Sequence, residues 1–205
     1  MNRVPSIFIT LGSVAVVVGL AILGSIFYPL IGDELSYLFH RPDKNAMVAI
    51  GTIQGKKTIQ PIDTGFGIVI PKIGANAHVV PNVDPYNRLE YQQALTKGIA
   101  HARGSANPGD IGNVFLFSHS SSNLFEANRY NSIFYLLTKL DKGDTIDLFY
   151  KGAKFTYTVT DKKIVDAGAV GYLTKPTLGK KVTLMTCWPP GTNLKPLIIR
   201  AAIAP

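Results

Sequence analysis

The residues best suited to covalent chemistry lie near the C-terminal end of the chain. Cys187, the only cysteine, closes the run Thr183–Cys187, and Arg200 follows inside an apolar stretch. A thiol attacks carbonyl groups only as the thiolate, so a catalytic cysteine needs a base or a nearby positive charge. Arg200 can supply the charge, but a guanidinium keeps its proton in a protein and cannot act as the base.

The base is therefore expected to be one of the four histidines. His119 fits best because it follows the apolar run Val114–Phe117, where a strand would deliver it to the rim of a sheet. His40 lies in a linker and His78 in a short segment bounded by prolines. His101 is the main rival to His119.

Each of these residues also has an interpretation without catalysis. A lone cysteine is most often a small buried apolar residue, and an isolated histidine is usually structural or solvated. Arg200 lies between Leu197–Ile199 and Ala201–Ile203, where a guanidinium is costly to bury unless it is paired or faces a ligand. We expect Arg200 to face inward and to be functional, the alternative being an arginine that points outward to water.

Together these residues resemble the sortase family of membrane-anchored cysteine transpeptidases. The shared features are Thr-Leu-x-Thr-Cys at Thr183–Cys187, the downstream Arg200, the upstream His119 and the stretch Gly104–Asn113. Ser118 departs from the glycine that the family usually has before its histidine. The resemblance covers roughly residues 66 to 203. It implies a closed β-barrel, a Cys/His/Arg site, and cleavage of a Leu-Pro-x-Thr-Gly type sorting peptide followed by transfer to an amine.

The resemblance assigns three catalytic roles. Cys187 would attack the carbonyl after the threonine of the sorting peptide and form a thioester. His119 would protonate the leaving amine and deprotonate the incoming one. Arg200 would hydrogen-bond the substrate backbone or the developing oxyanion. Weaker candidates for substrate contact stand on the same strand: Thr183, Thr186 and Trp188.

Partners follow from the same resemblance: secreted proteins with a C-terminal sorting signal, and an amine acceptor from the cell wall or from a pilin. No cofactor is expected, and one cysteine with scattered histidines lacks the ligand spacing of a metal site. A net charge of +8 suits anionic surfaces, but no sequence signature supports nucleic acid as a partner.

Two other functional classes stay open. The first is a cysteine hydrolase with the same site and water as the acceptor. The second is a non-catalytic, membrane-tethered barrel that binds a wall polymer or a protein. Within the family, Asp84–Tyr86 is similar to the lid motif of pilus-building sortases. Here that motif follows Phe66–Ile70 instead of preceding the first strand, so no lid of that type is expected.

The N-terminal part predicts a membrane anchor. Positions 4 to 32 contain no charged residue, a run longer than the roughly 20 residues that span a bilayer and than the roughly 7–15 of a signal peptide. Arg3 before it and Asp33 after it place the N-terminus in the cytoplasm. We predict a cytoplasmic N-terminus, a transmembrane helix, a juxtamembrane linker and an extracytoplasmic catalytic domain at the plasma membrane, over residues 1–5, 6–31, 32–62 and 63–205.

The remaining chain predicts an all-β fold, a closed barrel of about eight strands with short helices. Alternating apolar residues in Ile146–Tyr150 and Phe155–Val159 predict a hairpin. A helix is expected over 86–97, between Asp84-Pro85 and Gly98. A second helix and further strands are predicted from apolar spacing: a helix through Tyr130, Ile133, Phe134, Leu137 and Leu140, and strands at Phe66–Ile70, Val182–Thr186 and Leu197–Ile199.

Overall fold

The computed structural model describes residues 11–22, 24–25, 59–120, 133–166, 168, 177–190, 192 and 194–203. The chain divides into two compact units, Met1–Arg41 and Pro42–Pro205. In the first unit, residues 11–22, 24 and 25 are helical and form α1. No helix found among the described residues has the length and apolar character needed to cross a membrane. The predicted span of 6–31 extends beyond the described residues on both sides.

The described strands of the second unit form one closed barrel, as predicted. The strand bounds are β1 Phe66–Ile70, β2 Ala75–Val83, β3 Ile99–Ala102, β4 Gly112–Phe117, β5 Thr145–Tyr150, β6 Ala153–Ile164, β7 Lys180–Trp188 and β8 Lys195–Ala202. Around the barrel their order is β1-β2-β3-β4-β7-β8-β6-β5. Neighbours are antiparallel except for β2 with β3 and β4 with β7, which are parallel.

The strands predicted from alternation are confirmed, and β5 and β6 pair as the expected hairpin. β2 was not predicted because it contains Pro81, which cannot donate a ladder hydrogen bond. The strand tolerates the proline at a bulge, where the pairing with β3 shifts between Val80 and Val83 and Asn82 has a φ of 58°. His78 therefore belongs to a strand, and its Nδ1 lies 2.9 Å from Asp63 Oδ2.

The helix predicted over 86–97 is present in shorter form as α2, Arg88–Leu95. Asn87 caps it by accepting a hydrogen bond from the Glu90 backbone N–H. The second predicted helix is corrected. Its described part is a 3-10 helix, Tyr135–Lys139, because the fully buried residues Phe134, Leu137 and Leu140 recur every three positions and so align on one side of a 3-10 turn. Tyr130 lies outside the described residues.

Strand alternation divides the apolar side chains between two clusters. One fills the barrel and includes Leu116 of β4, Leu184 of β7 and Ile199 of β8. The other lies outside the barrel, where α2 covers β3 and β4 and packs against Phe115 and Phe117. Residues with odd numbers on β4 and β7 therefore point away from the barrel core, and this face carries the predicted catalytic residues.

Candidate active site

The parallel pairing of β4 with β7 brings His119 next to Cys187. Leu116 lies opposite Leu184 and Phe117 opposite Met185. The backbone N–H of Ser118 continues this pairing with a 3.1 Å hydrogen bond to the Met185 carbonyl oxygen. Because both strands advance in the same direction, the next positions along them are His119 and Cys187. Both side chains are half-buried.

The site lies on the outer face of the barrel. Cys187 shares its face with Met185, since side chains alternate along a strand. His119 lies two positions beyond Phe117, the last residue of β4. Phe117 and Met185 belong to the outer apolar cluster with Tyr91 of α2, and the Tyr91 and Phe117 ring centroids are 6.3 Å apart. These three residues form an apolar surface on the face of the predicted pair and were not predicted. Met185 could have been predicted from the sequence, because it lies two positions before Cys187 and side chains two positions apart on a strand share a face.

Arg200 lies on the same outer face but further along the strand. It pairs with Thr183, whereas Cys187 pairs with Pro196. Four residues separate the two levels, or about 13 Å at the usual rise of a strand. The expectation that Arg200 faces inward is corrected: its neighbours Ile199 and Ala201 enter the barrel core, so alternation turns Arg200 outward, to the face that carries Cys187.

The position of Arg200 favours contact with substrate over contact with the thiol. Its side chain is half-buried, and among the described residues no carboxylate lies within 4 Å of its guanidinium. A peptide that extends from Cys187 along the outer face of β7 would pass the level of Arg200. The guanidinium is therefore available to hydrogen-bond such a peptide.

Burial shifts the titration of Cys187 and His119 toward their neutral forms. It raises the pKa of the Cys187 thiol and lowers the pKa of the His119 imidazole, because a charged group loses hydration when it is buried. At neutral pH the resting pair is accordingly a thiol beside a neutral imidazole, and the thiolate with imidazolium is a minor form.

His101, the rival histidine, has a structural environment. It is 5% exposed, and its ring packs against Phe66 with centroids 5.3 Å apart. Its Nε2 lies 3.0 Å from the Ala106 carbonyl oxygen and 2.8 Å from Ser105 Oγ. The carbonyl can only accept, so Nε2 carries the proton. Burial lowers the pKa of His101, and both its contacts and its neutral state fit a role in fixing the loop after β3.

The three weaker candidates do not present a free side chain beside Cys187. Thr183 is 2% exposed and donates a 2.9 Å hydrogen bond to Asn113 Oδ1. Thr186 is 3% exposed and donates a 3.0 Å bond to the Ser118 carbonyl oxygen. Trp188 packs against the barrel core. Both threonine hydroxyls are engaged in hydrogen bonds between strands and Trp188 lies against the barrel core, so substrate contact by these three residues stays a prediction.

Two further expectations can be placed in the structure. Within the ranges described, no three acidic, histidine or cysteine side chains gather as metal ligands would. The segment that is similar to a lid motif, Asp84–Tyr86, joins β2 to α2 and is held in place there. Asp84 Oδ2 accepts from Arg103, and its backbone N–H donates to Glu90.

Comparisons with known proteins agree with the closed barrel. The family model of the sortase domain matches residues 68–204, and the chain belongs to the sortase family. Sortase D of Bacillus subtilis (strain 168) is 28% identical over 120 residues, which cover 58% of this chain and 52% of that protein. The chain thus spans about half the length of this curated relative.

Solved structures show the same fold. Sortase C-1 from Actinomyces oris superposes with a TM-score of 0.58 at 27% identity, covering 70% of this chain and 76% of that one. A sortase D5 transpeptidase from Clostridium perfringens gives a TM-score of 0.56 at 23% identity, covering 72% and 83%. At that identity the second likeness concerns the fold alone.

Proposed function

We propose that this protein is a cysteine transpeptidase that cleaves a Leu-Pro-x-Thr-Gly-like sorting signal and transfers the cleaved protein to an amine acceptor. The main support is the parallel pairing of β4 with β7 in a chain of the sortase family. The hydrogen bond from Ser118 to Met185 continues this pairing to the positions just before His119 and Cys187.

The first half of the reaction forms a thioester. The Cys187 proton passes to His119, and the sulfur attacks the carbonyl carbon of the threonine in the signal. The carbonyl oxygen becomes an oxyanion, which backbone N–H groups near Cys187 and the Arg200 guanidinium stabilise. The peptide C–N bond then breaks, and His119 returns its proton to the departing amine. The C-terminal fragment leaves with that proton.

The second half transfers the acyl group. The incoming amine attacks the thioester carbon and gives its proton to neutral His119, and the C–S bond breaks to release Cys187. A new amide joins the substrate protein to the acceptor, and the thiol regains a proton from His119. If water were the acceptor, the same steps would produce a free carboxylate, which is the hydrolase alternative.

We also propose that the enzyme acts at the outer side of the plasma membrane, anchored through residues 6–31. The uncharged positions 4 to 32 support this proposal. So does α1, in which apolar side chains are exposed on more than one side: Leu11, Val14, Val16, Val17, Val18, Leu20 and Ile22. The substrates would be secreted proteins with a C-terminal sorting signal. The acceptor amine would come from the cell wall or from a pilin.

The test is product analysis on a Leu-Pro-x-Thr-Gly peptide with and without an added glycine peptide as the amine. We expect an amide-linked product that requires the amine, a single adduct of a methanethiosulfonate reagent on Cys187, and no cleavage by Cys187→Ala. Cleavage that persists in Cys187→Ala would reject the proposal. A carboxylate product at every amine concentration would favour the hydrolase.

A further inference from the structure

Arg200 has a potential ionic partner that it does not use. Arg200 lies on β8, which pairs with β7 on one side and with β6 on the other. The residue of β6 directly opposite Arg200 is Asp161. Residues that face each other in an antiparallel pair share a face, with Cβ atoms about 5 Å apart. An arginine and an aspartate at that separation can form a bidentate pair. The two groups are nevertheless not within 4 Å in the described structure, and the Asp161 carboxylate is bound elsewhere.

Lys163 holds that carboxylate. It lies two residues further along β6, on the same face, opposite Ile198. Its Nζ is 3.1 Å from Asp161 Oδ2, with 59% of the Lys163 side chain and 27% of the Asp161 side chain exposed. The ammonium therefore competes with Arg200 for the same carboxylate, from the side nearer the strand end that approaches the catalytic pair.

We propose that Lys163 is a positioning residue that keeps the Asp161 carboxylate from pairing with Arg200 and so leaves the guanidinium available to the substrate. An arginine committed to a carboxylate would have to break that pair before it could hydrogen-bond a peptide or an oxyanion, and the cost would appear in kcat/KM. The inference rests on the proposed function, because it assigns Arg200 a substrate.

The activity test uses Lys163→Met in the full chain, which keeps the length of the side chain and removes its charge. Release of Asp161 toward Arg200 should lower kcat/KM about three- to tenfold, and added salt should restore part of the loss. The double variant Lys163→Met/Asp161→Asn should recover, since an amide is a poor competitor for Arg200. Lys154→Met is the matched control. It removes an exposed lysine of the same strand from another ion pair, 2.8 Å from Asp147 on β5, and should not change kcat/KM.

A second measurement does not require turnover. Phenylglyoxal modifies free guanidinium groups, and peptide mass spectrometry can follow each arginine separately. Arg200 should react faster in the wild-type chain than in Lys163→Met, and the double variant should restore its rate. Two other arginines serve as internal standards: exposed Arg88, for which no ion pair is described, and Arg103, paired with Asp84 and Glu90.

The possible failures are distinguishable. Equal kcat/KM and equal Arg200 modification in the wild-type chain and Lys163→Met would overturn this inference and leave the proposed function intact. A loss that Asp161→Asn does not rescue would also overturn it, because Lys163 would then act by another route. If the wild-type chain cleaved no sorting peptide, the proposed function would fail, and the modification rates alone would decide whether Lys163 controls Arg200.

Discussion

The hydroxyl of Thr186 donates a 3.0 Å hydrogen bond to the carbonyl oxygen of Ser118, and so joins the residues that directly precede Cys187 and His119. The Ser118 N–H in turn donates to the Met185 carbonyl oxygen at 3.1 Å. The two strand ends are therefore linked immediately before His119 and Cys187. The separation of sulfur and imidazole depends on this link, since neither side chain has another described partner to hold it.

Thr186→Val tests this link. Valine keeps the shape of threonine and removes only the hydroxyl, so the Ser118 carbonyl loses a buried donor. We expect a loss of stability of about 1 kcal/mol, together with a fall in kcat/KM. Urea unfolding and peptide cleavage on the same preparation measure both. A stability loss with unchanged kcat/KM would mean that the catalytic pair is positioned without this hydrogen bond.

The variants His119→Ala and His101→Ala test which of the two candidate histidines is the catalytic base. Loss of the proton-transfer group should lower kcat/KM by about 10²–10⁴-fold in His119→Ala. His101→Ala should mainly lower stability, because it removes a buried side chain that bonds to Ala106. Kinetics on folded variants compared well below their melting temperatures decide between them. The reverse ranking would move the catalytic base to His101.

Arg200→Lys tests whether Arg200 hydrogen-bonds the substrate or oxyanion, or only supplies a positive charge. Lysine keeps the charge but cannot reproduce the planar fork that binds two oxygens. If Arg200 binds substrate or oxyanion, kcat/KM should fall on the order of 10²–10³-fold, while the pH dependence of Cys187 alkylation stays in place. Nearly full activity in Arg200→Lys, with a raised thiol pKa in Arg200→Ala, would show that Arg200 serves only as a counter-charge to the thiolate.

The pH dependence of kcat/KM follows from the two burial shifts. The productive form is the minor thiolate with imidazolium, whose fraction is constant between the two pKa values. This fraction decreases when the pH drops below the pKa of His119, which burial lowers from the ordinary 6.5. It also decreases when the pH rises above the pKa of Cys187, which burial raises from the ordinary 9.0. We expect a broad plateau with an acid limb below 6.5 and an alkaline limb above 9.0. A profile that peaks sharply near pH 7 would contradict both shifts.

Ser118→Ala should stabilise the protein. Ser118 is 6% exposed, and none of the described residues hydrogen-bonds its Oγ. A buried polar atom without a partner costs about 1–3 kcal/mol, so removal of the hydroxyl should raise the free energy of unfolding by about 1 kcal/mol, with kcat/KM unchanged. Thermal unfolding provides the measurement. Destabilisation would instead indicate that the hydroxyl holds a buried water molecule.

The sequence by itself determined the family, the residues proposed for catalysis and much of the framework that carries them. Cys187 and His119 could be predicted because thiol catalysis requires a base and an arginine cannot be that base. The hairpin of β5 with β6 could be predicted because alternation is a local property of the chain. Both inferences use residues that are near one another in the sequence, or a chemical requirement that does not depend on distance.

The tertiary structure decided which face each side chain occupies. It turned Arg200 away from the barrel core, committed Thr183 and Thr186 to bonds between strands, and gave His101 its buried contacts. These outcomes depend on register between strands that are distant in sequence, and a slip of one residue would move every side chain to the opposite face. Only the closure of the whole barrel fixes that register, because each strand must match two neighbours at once.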